Sequence, residues 1–381
     1  MEKGRITILY SCYSPDNAPT NRLLSLLKGM DCSGYETEVV FIYPDRRRSK
    51  LCGDYKRLTV RYLWSDGDST ANIPKYIKSF FTLRRFARTL PKGTRILVIG
   101  GSKYLHLFTS RGDIVVFHER TEHPIAVDPL PGLLQKRYYR ACRSAAGIFC
   151  ITTEGKRVFE QELCCRNVRI INMTVDSSRF ENLPRASAQP RYIAYCGTAS
   201  NNKDGVDELL KAFAIVHKSL PDVELHIMGR TPSSKDRNGN LALIESLGIG
   251  EKVVFEGIVP ADRMPFRLQA ASVLALSRPD SLQARGGFPT KLGEYLLTAN
   301  PVVVTAVGDI PLFLEDGRSA YLCPDRDAER FASALVRALT NNEEASRIGE
   351  AGRKVALKHF NCLTEGAKMA EAMILQEPSI R

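Results

Sequence analysis

The chain has 381 residues, too many for one ordinary hydrophobic core, so two domains of roughly 180 residues each are expected. Its apolar content of 44% excludes a disordered chain, no run of 18 apolar residues is present to cross a bilayer, and the lead Met1-Glu2-Lys3-Gly4-Arg5 does not read as a signal peptide. The net charge of +12 is carried by residues 1–186, with 31 Lys+Arg against 18 Asp+Glu, while 187–381 hold 23 against 24; a uniformly basic nucleic-acid binder is thereby excluded, and the first half is expected to face something anionic.

In chain order, short apolar runs alternate with amphipathic stretches. The first half offers strands at Ile6–Tyr10, Glu38–Tyr43, Leu58–Leu63, Ile96–Ile99, Ile114–Phe117, Gly147–Ile151 and Val168–Ile171, with helical patterns at Asn21–Met30 and Gly132–Ala145. A polar seam with two prolines, Leu183–Pro190, separates it from a second series. There the strands are Tyr192–Cys196, Val223–Met228, Val253–Phe255, Val273–Leu276, Val302–Thr305 and Ala320–Leu322, interleaved with helices at Val206–Leu220, Asn240–Leu247, Pro265–Ala271 and Thr290–Leu297. A helical pattern then runs from about Asp327 to Ile374, broken near Phe360-Asn361. Continuously apolar strands alternating with helices predict parallel sheets covered on both faces. Two such series in tandem predict an α/β chain of two Rossmann-like, doubly wound domains, 1–186 and 187–361, followed by a C-terminal helix, 362–381. The ten cysteines show no C-x-x-C pair and no Cys/His cluster at metal spacing, which points to a reducing cytoplasm.

The most informative stretch runs from Arg278 to Leu297. After the strand Val273–Leu276, Gly286-Gly287 lets the backbone come close to a ligand, and Pro289 suits the first turn of the helix that follows. A turn that opens a helix directs free N–H groups and the positive dipole end at an anion. Lys291 adds a charge in the first turn, and Glu294, on the same helix face, could accept hydrogen bonds from a ribose diol. The ordinary reading is a βα loop whose Lys291 and Glu294 pair on the surface. A second loop at a strand's carboxyl end, Cys196-Gly197-Thr198 leading to Asn201-Asn202-Lys203-Asp204-Gly205, brings Lys203, and together the two loops suit a nucleotide diphosphate.

Gly197, Lys203-Asp204-Gly205, Met228-Gly229-Arg230, Phe255-Glu256-Gly257, Gly287-Phe288-Pro289-Thr290-Lys291-Leu292-Gly293-Glu294, Pro301–Thr305 and Gly308-Asp309-Ile310-Pro311 follow one another in an order and spacing that resemble the donor domain of family 4 glycosyltransferases, retaining enzymes of the GT-B fold. The resemblance covers most of residues 190–360 and, in the first half, rests on architecture and one motif. It implies two domains facing across a cleft, with the C-terminal helix returning to the first. It implies a donor site in which Glu294 binds ribose, Lys203 holds phosphates, and the turn Gly286, Gly287, Phe288, Pro289, Thr290, Lys291 meets the pyrophosphate and sugar, with Gly197, Thr198, Arg230 and Arg278 beside it. Lys203 and Lys291 would stabilise the departing phosphate. Relatives often carry a glutamate at the position of Gly286 and an arginine at that of Thr198; Lys291 or Arg278 would supply the charge missing at Thr198.

In the first half, Ile114–Phe117 ends in His118-Glu119-Arg120-Thr121-Glu122-His123-Pro124, and His118 or Glu119 at a strand's carboxyl end could orient an acceptor or take its proton. The resemblance places a polar residue there, often histidine, near the transferred sugar. Asp66-Gly67-Asp68 reads as a polar turn rather than a metal site, and neither metal nor cofactor is expected. The stretch Pro74–Leu90 mixes five basic residues with Ile77, Phe80, Phe81, Leu83 and Phe86, and 46–50 add a second basic cluster. These are expected to lie against an anionic membrane surface, or else to be the solvated face of a packed helix.

The expected activity is therefore retaining, metal-independent transfer of a sugar from a UDP- or GDP-linked donor to a glycan or lipid-linked acceptor of a surface polysaccharide, in the cytoplasm or on the inner membrane face, with no nucleic-acid partner. The alternatives are a sugar-nucleotide epimerase of the same fold, which a richer set of histidines would favour, and a catalytically silent binding subunit, suggested by Gly286 and Thr198. A dinucleotide oxidoreductase is the least expected, since no strand is followed by G-x-G-x-x-G.

Overall fold

The computed structural model describes residues 4–14, 18–44, 55–65, 75–127, 129–183, 190–230 and 233–376. The basic cluster at 46–50, the acidic pair at 66 and 68 and most of the proline-containing seam, 184–189, lie outside them. The chain divides into two units: residues 1–174 with 362–381, and residues 175–361.

Seven strands form the first unit's sheet: β1 (Arg5–Tyr10), β2 (Glu36–Phe41), β3 (Leu58–Tyr62), β4 (Arg95–Ile99), β5 (Val115–Arg120), β6 (Gly147–Cys150) and β7 (Val168–Ile170). Their order is β3-β2-β1-β4-β5-β6-β7, and every pair is parallel, with Ile8 opposite both Val39 and Leu97. Both faces of the central strands are covered, which is why β1, β4 and β6 read as nearly continuous apolar runs, whereas the edge strands β3 and β7 alternate with exposed Thr59, Arg61 and Arg169. Leu83 and Phe86 from helix Lys75–Thr89 and Tyr138 and Ala141 from helix Gly132–Ser144 pack over Val98 and Val116. On the other face, Leu23 and Leu27 of helix Ala18–Cys32 share a core with Met369 and Met373 of helix Cys362–Ile374. The C-terminal helix thus returns to the first unit, as expected. It does so through glycines: a Cβ at Gly29 would stand 2.2 Å from the Cys362 carbonyl oxygen, and one at Gly366 2.5 Å from that of Leu26.

The second unit's sheet has six strands: β8 (Tyr192–Cys196), β9 (Glu224–Met228), β10 (Val253–Gly257), β11 (Val273–Leu276), β12 (Val302–Thr305) and β13 (Tyr321–Cys323). They run in the order β10-β9-β8-β11-β12-β13, all parallel, with Ile193 facing Leu225 and Val273. The order reverses between β8 and β11, which is where open α/β sheets bind ligands. The long helical pattern after Asp327 is two helices in this unit, Ala328–Thr340 and Asn342–His359, parted at Asn341, whose side-chain oxygen accepts from the Glu344 N–H at 3.2 Å. A single polar residue that serves as an N-cap leaves little trace in a 3.6-residue pattern.

Candidate functional site

Strand β8 ends at Cys196, and Gly197 continues it with φ +139°, where a Cβ would lie 2.3 Å from Lys291 Nζ. Gly229 does the same after β9: its φ is +129°, and its missing Cβ would fall 2.1 Å from the Gly197 carbonyl oxygen. Only glycine tolerates both the backbone angle and the approach at these two strand ends. Helix Thr290–Leu297 is pinned to the same point by the hydroxyl of buried Tyr295, which accepts from the Cys196 N–H at 2.6 Å. The helix buries Leu292, Tyr295, Leu296 and Leu297, each worth about 1.5–3 kcal/mol for a full side chain, so its half-exposed face stays turned towards the strand ends.

Lys291 and Glu294 share that face but do not pair with each other, contrary to the ordinary reading of the motif. Lys291 Nζ donates to Asp204 Oδ2 at 2.7 Å and to the Tyr195 hydroxyl at 3.1 Å, and sits over the Tyr195 ring at 4.5 Å. Two of its three N–H donors are used, which leaves one for a ligand. Asp204 is 3% exposed. Burial alone would raise its carboxyl pKa, but the charge and hydrogen bond of Lys291, then Tyr195 and Arg278, outweigh it and hold the group below the usual carboxylate range. Glu294 pairs through Oε1 with Nη1 of Arg179, whose Nη2 donates to the Ala261 carbonyl at 2.9 Å. Cys196 lies among these groups. Burial pushes its thiol up to about 12, Glu294 adds to the rise, and Lys291 and Arg179 oppose it.

The loop before the helix differs from the glycine turn expected of it. Gly286 ends a one-turn helix, Leu282–Gly286, capped by Ser281, whose Oγ accepts from the Ala284 N–H at 3.1 Å; Gly287 is extended at φ −133°. Phe288 is a core residue, 5.6 Å from the Phe313 ring and 5.4 Å from Phe360, so only its backbone can meet a ligand. Pro289 is the N-cap rather than the first helical residue, and no side chain caps it; the Leu292 N–H donates to the Pro289 carbonyl at 3.1 Å, and the Thr290 and Lys291 N–H groups face outward from the helix start, where an anion would meet them. Arg278, 2% exposed, donates to the Gln283 carbonyl at 3.2 Å, and its charge bears on Asp204 from inside the unit. Thr198 and Arg230 are exposed at the ends of β8 and β9, joined by the Ala199 N–H to the Arg230 carbonyl at 2.7 Å. Lys203 is half-buried on the turn Asn201–Asp204, next to the Lys291–Asp204 pair, and Thr290 is half-buried at the helix start. Gly197, Lys203, Lys291, Glu294 and the N-terminus of helix Thr290–Leu297 are thus brought together.

His118 and Glu119 are not exposed as expected. His118 is fully buried: Nδ1 lies 2.8 Å from the Val98 carbonyl and Nε2 3.0 Å from the Tyr138 hydroxyl. A carbonyl can only accept, so Nδ1 carries the proton and Tyr138 donates to Nε2. Burial lowers the pKa to about 4. Glu119, 3% exposed, takes Nε and Nη2 of Arg22 at 3.0 and 2.8 Å, while Arg22 also donates to the Ile171 and Asn172 carbonyls. Both side chains hold the sheet together. His123 is buried as well, with Nδ1 accepting from the Ile125 and Ala126 N–H groups at 3.3 and 3.1 Å.

Residues 190–341, most of the second unit, match the family "Glycosyl transferases group 1". Among curated proteins, the chain is similar to a GDP-mannose-dependent alpha-(1-6)-phosphatidylinositol monomannoside mannosyltransferase of Mycolicibacterium smegmatis, at 28% identity over 52% of this chain and 54% of that protein. It is also similar to a D-inositol 3-phosphate glycosyltransferase of Corynebacterium urealyticum, at 28% identity over 45% of this chain and 40% of that one. The matches therefore span about half the length of these relatives. Among solved structures, Anabaena HepE in complex with UDP and glucose superimposes with a TM-score of 0.76 over 97% of this chain and 98% of that one, at 15% identity, a likeness of fold. The fold is GT-B, two Rossmann-like domains with parallel sheets of seven and six strands, and residues 190–341 are the stretch that matches the glycosyl transferases group 1 family.

Proposed function

We propose that this protein is a retaining glycosyltransferase that moves a sugar from a nucleotide diphosphate sugar, UDP- or GDP-linked, to a glycan or lipid-linked acceptor. The observation that carries this reading is the convergence of Lys291, Asp204, Glu294 and the uncapped start of helix Thr290–Leu297 at the end of β8, within the stretch that matches the family. The remaining N–H of Lys291 and the first-turn amides meet the diphosphate, and Glu294 receives the ribose hydroxyls. The M. smegmatis relative uses GDP-mannose by its name, and HepE is solved with UDP-glucose; the two bracket the donor chemistry.

With His118 and Glu119 committed to internal bonds, the chain's contribution is electrostatic. The bond from the sugar's anomeric carbon to the β-phosphate oxygen breaks, and the acceptor oxygen bonds to that carbon on the same face. The acceptor proton passes to the departing diphosphate, whose charge Lys291, Lys203 and the helix amides stabilise without a metal. Basic helices on the first unit would bring a lipid-linked acceptor near the membrane.

Calorimetric binding of UDP, GDP and ADP followed by transfer assays with the corresponding sugars tests this. One nucleotide should bind in the micromolar range and Glu294→Ala should weaken it at least tenfold. Unchanged affinity in Glu294→Ala would remove the ribose assignment, and a donor bound yet transferred to no acceptor would favour a silent subunit.

A further inference from the structure

Arg179 lies 115 residues before Glu294 in sequence, and neither its neighbours nor any motif marks it. It stands on the turn Ser177–Phe180, which is unusually well fixed. Asp176 Oδ1 accepts from the Ser178 N–H at 3.1 Å and from its hydroxyl at 2.7 Å, and the Phe180 ring is buried. The chain just before it is tied by the Val175 N–H to the Phe360 carbonyl at 2.8 Å. Phe360 in turn packs on Phe288 and Phe313, the aromatic cluster that seats the loop in front of helix Thr290–Leu297. The turn bearing Arg179 and the helix bearing Glu294 are therefore parts of one packed assembly, and the second arm of Arg179 on the Ala261 carbonyl fixes its direction.

We propose that Arg179 is a positioning residue for ribose recognition: by holding Glu294 through Oε1 it presents Oε2 to the diol of the bound nucleotide. This rests on the nucleotide-sugar reading above. A carboxylate offers about four lone-pair sites, and the guanidinium Nη1 takes one of them, so two ribose hydroxyls can still be accepted. A glutamate left to itself on a half-exposed helix face samples several rotamers, and ordering it would be charged against binding. The guanidinium also offsets a negative charge that would otherwise repel the diphosphate, as Asp204 and Lys291 offset each other nearby in the same unit.

The test is a comparison of UDP and GDP with their 2′-deoxy counterparts, by calorimetry, on the full chain. In the wild type the ribonucleotide should bind better. Arg179→Ala should weaken the ribonucleotide about tenfold and the deoxy form much less; Arg179→Lys should recover most of the loss. In a Glu294→Ala background, Arg179→Ala should have no further effect. Ribose discrimination equal to the wild type in Arg179→Ala, or tighter nucleotide binding in that variant, would overturn the proposal, the second outcome making Arg179 a competitor of the ribose. Should Glu294→Ala alone leave the ribonucleotide affinity unchanged, the donor-site reading itself fails, whatever Arg179 does.

Discussion

A histidine at the carboxyl end of a parallel strand can face a cleft or be packed inward, and His118 is packed inward. Its ring lies in the layer between the sheet and helix Gly132–Ser144, one nitrogen on Val98 and the other on Tyr138, edge-on to the Tyr138 ring at 5.6 Å. A neutral ring satisfies both bonds, whereas protonation would turn Nε2 from an acceptor into a donor facing the Tyr138 hydroxyl that now donates to it. The folded pKa of about 4 lies below the ordinary 6.5, so on acidification the unfolded chain takes up the proton first. Stability present above pH 6.5 is lost as the pH falls through that window. A shift of this size corresponds to about 3 kcal/mol. His118→Gln, which can donate and accept but cannot titrate, should reduce the loss of stability between pH 7 and pH 4.5 by about 2 kcal/mol in urea denaturation, the rest of the shift being expressed only below the folded pKa. Equal pH dependence in the two proteins would show that the ring is open to water. The same burial explains why the residue type misled: His, Glu and Arg at a strand end are what a polar site requires, but Arg22, which takes Glu119, and Tyr138, which takes His118, lie 97 and 20 residues away.

At the scale of elements, periodicity was enough to find every strand in both sheets, because the central strands are apolar runs bounded by polar turns and the edge strands β3, β7 and β10 still carry β-branched or aromatic residues at most positions. The missed pieces are short. The one-turn helix Leu282–Gly286 has too few residues to show a period, and Asn341 interrupts a helical pattern without breaking it. Close backbone contacts were equally invisible, although they decide which glycines matter. Gly29 and Gly366 let helices Ala18–Cys32 and Cys362–Ile374 touch, and Gly349 lets helix Asn342–His359 approach the Ala299 carbonyl, a missing Cβ standing 2.0 Å from it, behind the helix that carries Lys291 and Glu294. For Gly366→Ala two effects oppose. Helix propensity alone would stabilise by about 1 kcal/mol. A Cβ 2.5 Å from the Leu26 carbonyl and 2.8 Å from Gly29 Cα meets backbone that cannot step aside, and overpacking of this kind costs about 1–3 kcal/mol. Gly366→Ala should therefore lower the melting temperature of the first unit, most clearly in calorimetry, and a rise would mean that the two helices have room to part.

For the whole molecule, the charge division read from the sequence acquires a location. Among the described residues of the first unit, helix Lys75–Thr89 exposes Arg84, Arg85 and Arg88 beside Ile77 and Phe81, the last 60% exposed. Helix Gly132–Ser144, on the same side of the sheet, exposes Lys136, Arg137, Arg140 and Arg143 with Leu133 at 82%. His106 links the two helices, stacking on Phe80 and feeling the charge of Arg137. Both helices bury one face, as the packed-helix alternative required. What remains is a basic surface with a few large apolar side chains standing out of it, the composition that anionic lipid recognises. No described helix is long and apolar enough to cross a membrane, so contact of this kind would be peripheral. At about 1 kcal/mol for each basic side chain near the surface, several acting together exceed what a single exposed phenylalanine can add. The protein should co-sediment with vesicles rich in phosphatidylglycerol but not with neutral phosphatidylcholine, and binding should fall steeply as salt is raised to about 0.5 M. Replacing Arg84, Arg85 and Arg88 by Gln should abolish most of it, while Phe81→Ser should change it less. Equal binding to both vesicle types, or binding indifferent to salt, would assign the charge of this unit to some other anionic partner.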